Sequence, residues 1–114
     1  MKYTESLKKN YQFRNVYNKG NSIANRFLVM YKLKNGKDKN RLGISVSKKV
    51  GNSVVRNRIT RLIRESYRLK EEEIKKGWDI VIIARVASKN SDYNEISKSI
   101  YNLLKKSEML YNKN

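Results

Sequence analysis

The sequence predicts a single α/β domain, and a few stretches of it are enough to say so. Residues 26–34 and 41–47 alternate apolar and polar side chains with the period of a half-buried strand. Residues 79–86 are nearly continuous in β-branched residues, the pattern of a strand buried on both faces and often parallel to a neighbour. The stretch from near Ser53 to Leu69 and residues 92–110 carry apolar residues at helical spacing. Strand, helix, strand over residues 41–86 is a βαβ unit, and the last helix covers the sheet. A chain of 114 residues buries enough surface for one domain without staples, and no proline, repeat or linker divides it.

Taken in order, residues 1–9 are polar and expected to be flexible, a basic arm carrying Lys2, Lys8 and Lys9. A helix is expected over residues 10–19, ended by Gly20. Phe13, Val16 and Tyr17 share one face of it, which suits a core stripe first and leaves room for a groove partly open to bases. In the first long strand Phe27, Val29, Tyr31 and Leu33 point one way, Leu28, Met30, Lys32 and Lys34 the other. Asn35-Gly36 opens a polar loop with turn chemistry, so a hairpin to the next strand is expected. That strand puts Leu42, Ile44 and Val46 on a core face. Gly43, Ser45 and Ser47 opposite are small, which points to a close neighbour there, a packed helix or a ligand. Glu71–Glu73 and Lys75-Lys76 continue or follow the long helix as surface charges, and Gly77 ends it. The last helix is expected from Asp92 to about Leu110, with Ile96, Ile100, Leu103, Leu104 and Leu110 on one side.

The long helix separates into two faces. Ile59, Leu62, Ile63 and Leu69 form the apolar stripe, and Arg58, Arg61, Arg64 and Arg68 line the opposite side. Ser53 is the expected N-cap, with Lys48, Lys49 and Gly51-Asn52 beside a helix end that favours anions. Glu65 is the only acid from Lys48 to Arg68, so intrahelical pairs leave most of this charge unneutralised. A guanidinium fork can bond two phosphate oxygens at once, which makes the face a candidate for holding a polyanion.

Charge distribution agrees. The formal net charge is +17; residues 1–70 carry +16 of it and residues 71–114 only +1. Binding to a nucleic acid should therefore weaken steeply with salt, by about 0.9 log units per phosphate and decade of salt on duplex. The chain has no cysteine and no histidine. That removes disulfides, thiolate catalysis, Cys-based zinc sites and the usual neutral-pH acid–base group. No signal peptide or membrane-length apolar run is present, and an arginine-rich face without bulky apolar residues fits a membrane poorly. A soluble cytoplasmic protein is expected.

The stretch from Leu42 through Ser47-Lys48-Lys49-Val50-Gly51-Asn52 to Arg56-Asn57-Arg58 closely resembles the bacterial ribonuclease P protein subunit family. The likeness also takes in the Phe13/Tyr17 helix, Ala24-Asn25-Arg26, the Trp78–Ala87 strand and the closing helix. It implies a two-layer sandwich with a four-stranded mixed sheet, like the second domain of ribosomal protein S5, and a left-handed βαβ crossover. It implies two partners, the catalytic RNA of ribonuclease P and precursor tRNA, whose 5′ leader the holoenzyme removes; no obligate protein partner is implied. The family's catalytic-RNA contacts match Arg56, Asn57 and Arg58, with Arg61, Arg64 and Arg68 along the same helix and Lys48 and Lys49 before it. Its leader-binding cleft matches Phe13, Tyr17, Val29 and Tyr31. No catalytic or metal-binding residue is carried over: cleavage and its Mg²⁺ belong to the RNA, and the protein alone holds no cofactor. Tyr17 stands where phenylalanine is common, and Thr60 where a basic residue is common.

An autonomous nuclease would need acid–base pairs or clustered carboxylates, and the acids here are scattered. A structural RNA-binding protein, such as a ribosomal protein or assembly factor, shares the composition and is the alternative. A DNA-binding module fits less well, because only Asn57 and Thr60 on the arginine helix are short polar side chains suited to base edges.

Overall fold

A computed structural model describes residues 1–111. The elements run β1 (Thr4–Ser6), α1 (Asn10–Lys19), β2 (Asn21–Ala24), β3 (Leu28–Lys34), β4 (Asn40–Ser45), α2 (Ser53–Lys70), β5 (Trp78–Ala84) and α3 (Tyr93–Lys106), with 3₁₀ turns at Glu71–Glu73 and Val86–Ser88. They form one mixed sheet in the order β1-β4-β5-β3-β2, five strands rather than the four expected. β5 is the hub, parallel to β4 and antiparallel to β3. The β4–α2–β5 unit is thus the βαβ unit expected from the sequence.

Strand β5 also overturns the expected hairpin. It lies between β3 and β4, so the loop over residues 35–39 crosses the end of β5 and joins two strands that do not pair. Asn35 ties that loop down through its side-chain amide, which donates to Lys39 O and Asp79 Oδ1. Gly77 faces the loop at φ +96°, a conformation that favours glycine, and a Cβ there would also stand a tight 3.0 Å from Lys37 O.

One face of the sheet packs on α2 and α3. Leu28, Met30, Leu42, Ile80 and Ile82 meet Ile59, Ile63, Tyr67, Ile96, Ile100, Leu103 and Leu104 in the main core. Tyr67 belongs to the α2 stripe in place of Leu69, which is 59% exposed. The cap of α2 shifts by one residue as well: Asn52 Oδ1 accepts from Val55 N at 3.0 Å, and Ser53 is the first helical residue. At the other end α3 stops at Lys106, short of the expected limit, and Leu110 lies beyond it in a β-bridge with Ile74.

The N-terminal arm is not loose. β1 pairs in parallel with β4, and Leu7 is buried. Its anchor is Glu71, which is itself buried rather than a surface charge and accepts from the backbone N–H of Lys2 (3.0 Å) and Tyr3 (3.1 Å). Thr4 Oγ1 lies 3.2 Å from the Tyr67 hydroxyl. A strand of three polar residues is thus held by a buried carboxylate and a buried phenol supplied by the end of α2.

Burial pushes the Tyr67 hydroxyl up to about 12. The folded chain holds that proton more tightly than the unfolded chain, so the stabilisation is full below pH 10 and is lost as the pH rises toward 12. Denaturant titrations should show the parent protein losing roughly 2–3 kcal/mol more than Tyr67→Phe across that window. At pH 7 the variant should be about 1 kcal/mol the less stable of the two. Equal losses in alkali would show that Tyr67 is not the titrating group.

Candidate nucleic-acid interface

The other face of the sheet carries α1, and the strand register sets out what lies beneath it. Arg41, Asp79 and Leu33 form one lateral row, Gly43, Val81 and Tyr31 a second, and Ser45, Ile83 and Val29 a third. The first is closed by charge. Arg41 grips the buried Asp79 carboxylate with Nε at 2.7 Å and Nη2 at 2.6 Å, and Asn35 adds a third bond at 3.0 Å. The second is closed by α1. A Cβ on Gly43 would stand 2.5 Å from a Phe13 ring carbon, so the close neighbour expected on that face is the Phe13 ring. Leu7, Val16 and Val81 form a small core there, and Tyr17 meets Tyr31 edge-on at 5.1 Å between ring centroids.

The third row is left open. Ser45, Ile83 and Val29 are all half-buried. A hollow of about 480 Å³ lies at this end, lined by Asn10, Phe13, Arg14, Tyr17, Ile44 and Ser45. Burial raises the Tyr17 hydroxyl above its ordinary range, with a hydrogen bond to Ser45 working against the rise. Phe13, Tyr17 and Tyr31 thus stand as a chain of rings, at 6.4 Å and 5.1 Å between successive centroids, with Val29 in the open row below. Asn10, Arg14 and Ile83 are cleft residues that the sequence reading missed, whereas Ser45 lies on the small-residue face expected to meet a packed helix or a ligand. Arg14 had a signal, since it lies three residues before Tyr17 on the same helix. Ile83 had none, because nothing in a continuous apolar run shows which residue opens to solvent.

The basic residues distribute differently from the sequence expectation. Lys48 and Lys49 are exposed in a turn over residues 47–50, which sends Val50 into the core. That turn leaves β4 just past Ser45, so both lysines stand between the cleft and the start of α2. Arg61 and Arg64 are exposed and make no ion pair among the described residues; Arg68 is paired with Glu65. Asn57 is exposed, whereas Arg56 is half-buried, with its Nε buried and unpartnered. Thr60 spends its hydroxyl on Arg56 O. Arg58 is committed to the protein itself: Nη1 donates to Ser91 O at 2.8 Å and Nη2 to Lys89 O at 2.6 Å. Its fork therefore clamps the segment before α3 to α2.

Among the described residues no group of three or more His, Cys, Asp and Glu could hold a metal ion, and no helix is long and apolar enough to cross a membrane. Three of the acids are engaged structurally, Asp79 by Arg41, Glu71 by backbone N–H groups and Glu65 by Arg68.

Comparison with known proteins places this geometry. The family model for Ribonuclease P matches residues 1–108. The Ribonuclease P protein component of Lachnoclostridium phytofermentans is 61% identical over 102 residues, covering 90% of this chain and 88% of the relative. That of Clostridioides difficile is 55% identical over 107 residues, covering 93% and 94%. The solved RNase P protein of Staphylococcus aureus superposes with a TM-score of 0.87 at 42% identity, covering 93% of this chain and 97% of that one. That of Thermotoga maritima gives 0.83 at 35% identity, covering 90% and 96%.

Arg58→Lys keeps the charge but cannot reproduce a planar fork on two carbonyls. It should cost about 1–3 kcal/mol in denaturant unfolding and speed amide exchange at the start of α3. Unchanged stability and exchange would show that the clamp carries no weight.

Proposed function

The chain belongs to the ribonuclease P protein family, and we propose that it serves as the protein component of a ribonuclease P, the endoribonuclease that trims precursor tRNA to its mature 5′ end. In this reading the protein binds two RNAs in the cytoplasm without a second protein: the catalytic RNA on the α2 side and the single-stranded 5′ leader in the cleft beside α1. The observation that carries it is the open third row. Phe13, Tyr17 and Arg14 line the hollow with Ser45, whose row continues through the half-buried Ile83 and Val29, and the exposed Lys48 and Lys49 follow Ser45 in the chain. Unpaired bases stack on aromatic rings while cations track the backbone, and such a surface accepts a strand of any sequence.

On the α2 side Arg61 and Arg64 are the cations free to neutralise phosphates, joined by Asn57, Arg56 and the Lys48-Lys49 turn. Arg68 reaches that surface only by giving up Glu65, and Arg58 contributes by holding the start of α3 in place. Bond cleavage and its Mg²⁺ are assigned to the RNA. The protein adds affinity and lowers the magnesium requirement, because its cations take over part of the screening between two polyanions.

The test is cleavage of a precursor tRNA by in vitro transcribed catalytic RNA at low magnesium, with and without the protein. Cleavage to a mature 5′ end only when protein is present supports the reading. Absence of stimulation, with tight salt-dependent binding to other structured RNA, would favour a ribosomal or assembly role instead. Tyr31→Ala should leave binding of the catalytic RNA intact and weaken precursor relative to mature tRNA by about 5- to 150-fold, the loss of one stacked base. Arg64→Ala should do the reverse, weakening catalytic-RNA binding and lowering its log–log salt slope by about 0.7–0.9.

A further inference from the structure

A second hollow, of about 430 Å³, opens on the outer side of α2 where it meets the start of α3. Its walls are Arg58, Arg61, Leu62, Arg64, Glu65 and Tyr93. Leu62 and Tyr93 are half-buried, so both leave apolar surface uncovered inside a cationic rim. The acid in the rim, Glu65, already accepts from Arg68 at 3.1 and 2.5 Å, so the charge of Arg61 and Arg64 stands unopposed there.

The position of Tyr93 is set before any ligand arrives. The Arg58 fork holds Ser91 and Lys89 just upstream. Asp92 and Glu95 close a capping box around the helix start, with Glu95 N donating to Asp92 Oδ1 at 2.8 Å and Asp92 N donating to Glu95 Oε1 at 3.1 Å. An acidic peptide would suit the rim but not the apolar floor, and an RNA helix presents phosphates without a ring to fill the hollow. A flat, uncharged ring carried on a phosphate chain suits both.

We propose that this hollow receives one extruded nucleobase of the catalytic RNA, stacked on Tyr93 over Leu62, with the flanking phosphates on Arg61 and Arg64. The inference rests on the reading that the α2 side binds that RNA, and adds to it a base-recognition site distinct from the leader cleft.

The experiment measures the affinity of the full chain for in vitro transcribed catalytic RNA over a salt series, with nucleotide-resolution chemical probing of the RNA. Tyr93→Ala should weaken binding about 5- to 150-fold at every salt concentration, giving a parallel line, because a lost stack releases no counterions. Arg61→Ala should flatten the slope instead. One unpaired nucleotide protected by the parent protein should become reactive with Tyr93→Ala and stay protected with Tyr93→Phe. Tyr93→Phe keeps the ring, so it covers the case in which the alanine variant folds poorly. Equal affinity and an unchanged protection pattern with Tyr93→Ala would overturn the site while leaving the RNA reading of α2 intact. Failure of the parent protein to bind the RNA at all would overturn both.

Discussion

The structure depends on the burial of β5 on both faces. Six of its residues, in an almost unbroken apolar run, cannot be satisfied by a single layer of helices. The strand therefore sits in the middle of the sheet, hydrogen-bonded to β4 along one edge and β3 along the other, and demands cover above and below. Helices α2 and α3 supply that cover completely on one side. On the other side the cover is α1, ten residues and about 15 Å long, which is too short for the face it meets.

That shortfall makes the cleft. Phe13 can settle onto the sheet because Gly43 has no side chain, and α1 then closes the second row while Ser45, Ile83 and Val29 stay open. The same strand that opens the cleft leads through Ser45 into the Lys48-Lys49 turn and on to the arginine helix. In the proposed reading two RNA surfaces, one apolar and stacking, one cationic, are thus joined by one short turn, and they approach each other at the sheet edge, where Phe13 and Arg64 line one hollow.

Much of this was legible in local periodicity. Alternation placed the strands that became β3 and β4, helical spacing placed α1 and α2, and the small residues facing away from Leu42 announced the close approach of Phe13. Strand order was not legible, since Asn35-Gly36 carries good turn chemistry whether or not its flanking strands pair. The wedging of β5 between them is a long-range fact. β1 was illegible for a related reason: three polar residues become a strand only because Glu71 and Tyr67, more than sixty positions away, receive them. The ring cluster at Phe13, Tyr17 and Tyr31 came from the likeness to a family. Ile83 came only from the register, while alternation had already put Ser45 on the face that meets α1. Among the arginines, charge and spacing could not separate Arg58, spent on two carbonyls, from Arg61 and Arg64.

In the proposed reading the cleft and the arginine helix act as separate surfaces. A double-mutant cycle with Tyr31→Ala and Arg64→Ala, read as the free energy of assembling protein, catalytic RNA and precursor tRNA, tests it most directly. Independent surfaces predict that the two losses add to within about 0.5 kcal/mol. A coupling energy above about 1 kcal/mol would contradict the claim and show that both side chains serve a single site.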